Sequence, residues 1–197
     1  MRFYVLVDTS GSMEGAKIGA LNDAMSNIVA ELKQISCSTN QSITLSVLSF
    51  GKETKWMYNQ SVNVDDFTWN RLSAGGMTPL GKACIELERD LKSDTNKPDD
   101  NTFVILVSDG CPTDDFEEGI EVLLANHNFI NSTRFAIAIG ENADIPVLSR
   151  FVELDSHLYI QNRVDELLDT LQNIICNIRT TAPITYSKEN EEDDEWA

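Results

Sequence analysis

The sequence is short of positive charge and of histidine. Fifteen Lys and Arg stand against 32 Asp and Glu, a net charge of −17, and only two histidines occur in 197 residues. So acidic a chain repels phosphate backbones and anionic headgroups, which argues against nucleic acid or a membrane surface as partner and favours cations and basic protein surfaces. Long apolar runs are missing as well. No stretch approaches the roughly 20 apolar residues of a membrane span. The opening MRFYVLVD lacks the charged lead, apolar segment and cleavage site of a secretory signal. Cysteine is sparse: Cys37, Cys84, Cys111 and Cys176 form no Cys-x-x-Cys pair, so reduced thiols and a cytoplasmic setting are expected. Cys84 and Cys176 lie among apolar helical positions and are expected in the core. Gly and Pro together supply 15 residues, and no internal repeat is visible.

What is present suits one folded domain. Hydrophobic residues make up 42% of the chain, and a domain of this length buries roughly 70% of its unfolded surface. The run FYVLVDTSGS, residues 3–12, reads as a strand buried on both faces that ends in Asp8, Ser10 and Ser12. Ile18, Leu21, Met25, Ile28, Leu32 and Ile35 then recur at helical spacing over residues 14–36. Ile43–Phe50 alternates apolar with polar and reads as a second strand; Thr54–Tyr58 can return beside it as a short antiparallel edge. Residues 59–74 have weak periodicity, with Val62, Val64, Phe67, Trp69 and Leu72 expected to pack beneath a long connection. Thr78-Pro79 opens a helix to about Lys92, and a polar loop with Pro98 follows from Ser93 to Asn101. TFVILV, residues 102–107, is a second fully buried strand, ending in Ser108 and Asp109.

Beyond it, Thr113 and Asp114 resemble a cap for a helix reaching His127. Arg134–Ile139 reads as a strand, Ile145–Leu154 as a short helix and Leu158–Ile160 as a last strand. Val164 to Ile178 carries the apolar face of a final helix. Strands alternating with helices predict an α/β fold: a Rossmann-like, doubly wound, mostly parallel sheet with one short antiparallel edge strand and helices on both faces. The domain is expected over residues 1–180. Residues 181–197 are expected to form an acidic, flexible tail, since KENEEDDEWA carries six acids against one lysine.

In open α/β sheets, ligands bind beyond the carboxyl ends of the strands. Three loops meet there, carrying Asp8, Ser10 and Ser12, then Thr78, then Asp109. Two carboxylates and three hydroxyls are hard oxygen donors of the kind Mg²⁺ takes, and Mg²⁺ usually keeps some water among its ligands. Turn-shaping and helix capping explain Ser10 and Ser12 singly, but not all five positions together. Gly76–Lys82 mimics half of a P-loop, yet Ala83 stands where the Mg²⁺-binding hydroxyl belongs. Asp114 and Asp115 are read as helix caps, and His127 and His157 are far from these loops in sequence.

Asp8-Thr9-Ser10-Gly11-Ser12, Thr78 in GGMTPL and Asp109 in VSDG resemble the metal-ion-dependent adhesion site (MIDAS) of von Willebrand factor A domains, and the likeness covers about residues 3–180. It implies that Asp8, Ser10, Ser12, Thr78 and Asp109 hold Mg²⁺, or alternatively Mn²⁺. The three hydroxyls would be nearest the ion and the carboxylates often act through water. It further implies that a partner protein supplies a Glu or Asp carboxylate to the open position, without catalysis. The SDGCPTDD segment looks most like the small bacterial cytosolic TerY-type members associated with tellurite resistance and stress. Cys111 departs from the polar or acidic residue expected there and is read as a source of redox sensitivity. The rival expectation is an Mg²⁺-dependent phosphatase or hydrolase using the same loops, which would need an activated nucleophile or a general base. A further expectation is that carboxylates of the tail compete for the open metal position.

Overall fold

The computed structural model describes residues 1–93 and 101–181. Residue 181, the expected start of the acidic tail, closes the last helix; residues 182–197 of that tail and 94–100 of the Pro98 loop lie outside the described residues.

Two apolar strands set the centre of the sheet. β1 (Arg2–Thr9) and β5 (Thr102–Ser108) run parallel, Val5 opposite Ile105 and Val7 opposite Val107. β2 (Thr44–Gly51) flanks β1, and β6 (Thr133–Ile139) then β7 (Leu158–Gln161) flank β5, all parallel. β3 (Thr54–Trp56) is the expected antiparallel edge, and a two-residue β4 (Val62–Asn63) adds a second antiparallel segment to β2. The order is β3-β2-β1-β5-β6-β7. It steps outward in both directions from β1, as doubly wound sheets do.

Side chains alternate across the strands, which divides the core in two. On one face Val5, Val7, Ile105 and Ile137 pack under α1 (Ala16–Thr39) and α6 (Leu167–Thr181). On the other, Leu6, Leu48, Leu106 and Ala136 pack under α2 (Leu80–Ser93) and α3 (Phe116–Leu124), with Phe129 of α4 (His127–Ile130) and Leu148 of α5 (Ile145–Ser149). The fold class is therefore the one expected.

The second strand forms as expected, with its Ser46 and Ser49 buried, and Ser49 Oγ donates to the Lys55 carbonyl of β3. Several local expectations give way to particular contacts. The helix expected to reach His127 stops at Leu124, because Asn126 accepts from the Asn128 and Phe129 amides and starts a new turn. The helix expected over 145–154 ends at Ser149. Cys176 is exposed rather than in the core, unlike Cys84.

The connection after β4 is held by Asn22, a polar residue on the buried side of α1. Its Oδ1 accepts from the Leu72 amide at 2.7 Å and from Trp69 Nε1 at 3.1 Å, while its Nδ2 donates to the Leu72 carbonyl at 2.8 Å. Phe67 is buried in the core as predicted, with Trp69 and Leu72 packed against it. This docking delivers residues 75–78 to the carboxyl edge of the sheet.

Candidate metal centre

Asp8 is the last inward residue of β1 and is fully buried (0% exposed). An isolated buried carboxylate is costly, so its oxygens must be matched. Oδ1 accepts the Ser10 amide at 2.8 Å, and Oδ2 accepts from Ser108 Oγ at 2.6 Å. Ser108 in turn accepts the Gly110 amide at 2.9 Å. Ser108, which the sequence marks only as a polar strand end, is thus the residue that fixes the Asp8 carboxylate. Burial nevertheless pushes the Asp8 acid above its usual range; the bonds from Ser10 and Ser108 oppose this, and the neighbouring Asp109 charge adds to it.

Ser10 and Ser12 face one another, their hydroxyl oxygens 2.9 Å apart. A single 3-10 turn, Gly11–Met13, lets the chain reverse before α1 and buries Met13 as an anchor. Two backbone bonds tie this loop to the Thr78 loop: the Gly75 amide donates to the Thr9 carbonyl at 2.8 Å and the Gly11 amide to the Gly76 carbonyl at 3.0 Å.

Thr78 is buried and held by Thr113 through two bonds. The Thr78 amide donates to Thr113 Oγ1 and the Thr113 amide to the Thr78 carbonyl, each at 2.9 Å. The helix start is completed from the same segment. Asp114 accepts from the Gly81 and Lys82 amides at 3.0 and 2.8 Å, so it caps α2. Asp115, not Asp114, caps α3 by accepting the Glu118 amide. The two helices meet closely because neither carries a side chain at the crossing. A Cβ on Gly81 would lie 2.3 Å from the Asp115 carbonyl oxygen, and one on Gly119 2.3 Å from that of Gly81.

Asp109 follows β5 and is 5% exposed. Its Oδ2 lies 3.6 Å from Lys17 Nζ. Its Oδ1 is buried and has no hydrogen-bond partner among the described residues. Cys111 beside it is exposed, with Sγ 3.7 Å from the Asp109 carbonyl oxygen and 3.8 Å from that of Asn142. Burial first, then Asp109 and Asp144, push its thiol up.

The fold thus brings all five residues singled out in the sequence to one edge of the sheet. Lys17, Ser108, Thr113 and Asp114 join them; none has a periodic sequence signal, although Ser108 was noted as a polar strand end and Thr113 and Asp114 were read as a cap of the following helix rather than of α2. Among the described residues no group of three or more His, Cys, Asp or Glu is arranged to hold a metal. The donors here are two carboxylates and three hydroxyls. They fit a hard divalent cation: two neighbouring buried carboxylates, one oxygen of which is unpartnered, leave negative charge that a single ammonium does not balance.

A search among curated proteins finds no match. Solved structures are similar in fold. The pilus adhesin SpaC from Lactobacillus rhamnosus GG superposes with a TM-score of 0.70 at 12% identity, over 90% of this chain and 30% of that one. The ArnB paralog VWA2 from Sulfolobus acidocaldarius gives 0.64 at 22% identity, over 87% and 44%. Proximal thread matrix protein 1 from the mussel byssus, in a form with a zinc-occupied MIDAS motif, gives 0.64 at 16% identity, over 88% and 44%. The chain spans less than half the length of each. A family model, the von Willebrand factor type A domain, matches residues 3–174. The chain belongs to the von Willebrand factor type A domain family.

Proposed function

We propose that this chain is a non-catalytic protein-interaction module that works through a MIDAS. Asp8, Ser10, Ser12, Thr78 and Asp109 hold Mg²⁺, with Mn²⁺ as the alternative, and a partner protein supplies a Glu or Asp carboxylate. The observation that carries this reading is the pairing of buried Asp8 with Asp109, whose Oδ1 has no hydrogen-bond partner among the described residues. A cation bound there supplies an electrophilic position for the incoming carboxylate oxygen. The zinc-occupied motif of the mussel protein supports divalent occupancy in this fold.

The residues divide the work. Ser108 and the Ser10 amide orient Asp8. The Ser10–Ser12 contact aims both hydroxyls into one region. Thr113 and Asp114 hold the Thr78 loop and the start of α2. Met77, beside Thr78 and 64% exposed, offers an apolar contact on the rim, where specificity would be read. We place the module in the cytoplasm, in a TerY-type tellurite-resistance or stress setting; no helix among the described residues is long and apolar enough to cross a membrane.

The phosphatase or hydrolase alternative would need a general base. His157 precedes β7 with Nδ1 3.1 Å from the Arg134 carbonyl oxygen, and His127 opens α4 before β6. Both belong to the opposite edge of the sheet. The deciding experiment is affinity capture from native cytosol with wild type and Asp8→Ala. Capture should occur in Mg²⁺ and disappear in excess EDTA and in the variant; capture that persists in EDTA would refute the proposal.

A further inference from the structure

Lys17 approaches the candidate metal centre from an unusual position. It is the second residue of α1, where a positive charge opposes the helix macrodipole. Its placement therefore works against the helix that carries it. The ammonium instead lies 3.6 Å from Asp109 Oδ2, with the side chain one-quarter exposed. The chain leaves room for it at the end of β6. Gly140 has φ +97°, and a Cβ there would come within 3.0 Å of Lys17 Nζ and 3.1 Å of Cε. Any larger residue would be strained and would crowd the ammonium. One oxygen of Asp109 faces a fixed cation while the other, Oδ1, is buried without a hydrogen-bond partner among the described residues.

We propose that Lys17 sets the charge of the metal centre, making it hold its cation less tightly and an external carboxylate more tightly. The inference rests on the metal-dependent docking proposed above. With both carboxylates ionised, Asp8 and Asp109 contribute two negative charges and Lys17 one positive charge, so a divalent cation leaves the centre with one surplus positive charge. Without Lys17 the same cation brings the centre to neutrality. A neutral centre retains the metal better, because no ammonium repels it, and attracts a carboxylate less. Lys17 thus exchanges metal affinity for ligand affinity, a trade that suits a docking site. An ordinary partly exposed ion pair would do neither measurably.

The test uses the full chain with Mn²⁺ and acetate as probes. Free Mn²⁺ is read by electron paramagnetic resonance, and acetate uptake by the loss of water relaxivity at bound Mn²⁺. Lys17→Gln should bind Mn²⁺ about three- to tenfold more tightly, allowing for screening at a partly exposed site. It should take acetate at least about threefold more weakly. Lys17→Arg, which keeps the charge, should stay within about twofold of wild type on both. Equal Mn²⁺ affinity in wild type and Lys17→Gln, or tighter Mn²⁺ binding with unchanged acetate uptake, overturns the role of Lys17. Asp8→Ala separates the two levels: if it binds Mn²⁺ as wild type does, the metal reading fails and the role of Lys17 falls with it. If it loses Mn²⁺ while Lys17→Gln matches wild type, only the role of Lys17 falls.

Discussion

Asp8→Asn separates what the centre costs the fold from what a cation returns. Asp8 is fully buried, beside a second buried carboxylate, and both its oxygens accept hydrogen bonds, from the Ser10 amide and from Ser108 Oγ. Asparagine has the same shape. Its oxygen can keep the Ser10 bond, and its amide can donate to Ser108, whose hydroxyl oxygen already accepts from Gly110. The variant therefore folds, and without metal it should be at least as stable as wild type, because one of two neighbouring buried charges is gone. With metal the order reverses. A ligand that binds only the native state at about 100 times its dissociation constant stabilises by about 2.7 kcal/mol. For a chain of this size each kcal/mol moves Tm by about 2–4 °C, so wild type should rise by about 5–11 °C. The assay is calorimetric melting of both proteins in Mg²⁺ and in excess EDTA. Wild type should show the full rise and Asp8→Asn less than about 2 °C of it. An Asp8→Asn protein that Mg²⁺ stabilises as much as wild type would refute the reasoning, since the stabilising cation would then sit elsewhere.

Two more outcomes follow from the same contacts. Ser108→Ala removes the 2.6 Å bond to Asp8 Oδ2; losing a bond to a buried charged group should cost about 1.5–3 kcal/mol in urea unfolding and weaken Mg²⁺ binding, whereas an unchanged Mg²⁺ affinity would deny Ser108 its orienting role. In EDTA, Asp8 binds its proton more tightly folded than unfolded, because burial raises its pKa above the ordinary 3.8. Its contribution is fully present below that value and is lost as pH rises through the folded one. Metal-free wild type should therefore lose stability over that window relative to Asp8→Asn, and parallel pH profiles of the two proteins would contradict this.

The sequence carried the parts that repeat locally. β1 and β5 are legible as uninterrupted apolar runs, and α2 and α6 as apolar faces at helical spacing. That Asp8, Ser10, Ser12, Thr78 and Asp109 share the sheet's carboxyl edge was legible because each lies at the end of a strand or just before a helix. What escaped was held by contacts between distant residues, which leave no period to read. Asp114 caps α2 from 33 positions away, and Asn22 grips Leu72 across 50. Lys17 looks like any surface lysine until Asp109 is placed beside it. β2 was legible as a strand, though not the burial of its serines, which β3 and the flanking layers cover and of which Ser49 satisfies its hydroxyl on Lys55. Cys176 misled: it adjoins the apolar face of α6 in sequence but projects away from it.

The central claim is that Asp8, Ser10, Ser12, Thr78 and Asp109 together hold a divalent cation. Crystals grown with Mn²⁺ and measured at the manganese absorption edge test it without recourse to any partner. The account predicts one strong anomalous peak bounded by the hydroxyls of Ser10, Ser12 and Thr78 and by the carboxylates of Asp8 and Asp109, absent from Asp8→Ala crystals. A peak elsewhere, or none at this edge of the sheet in wild type, would contradict it.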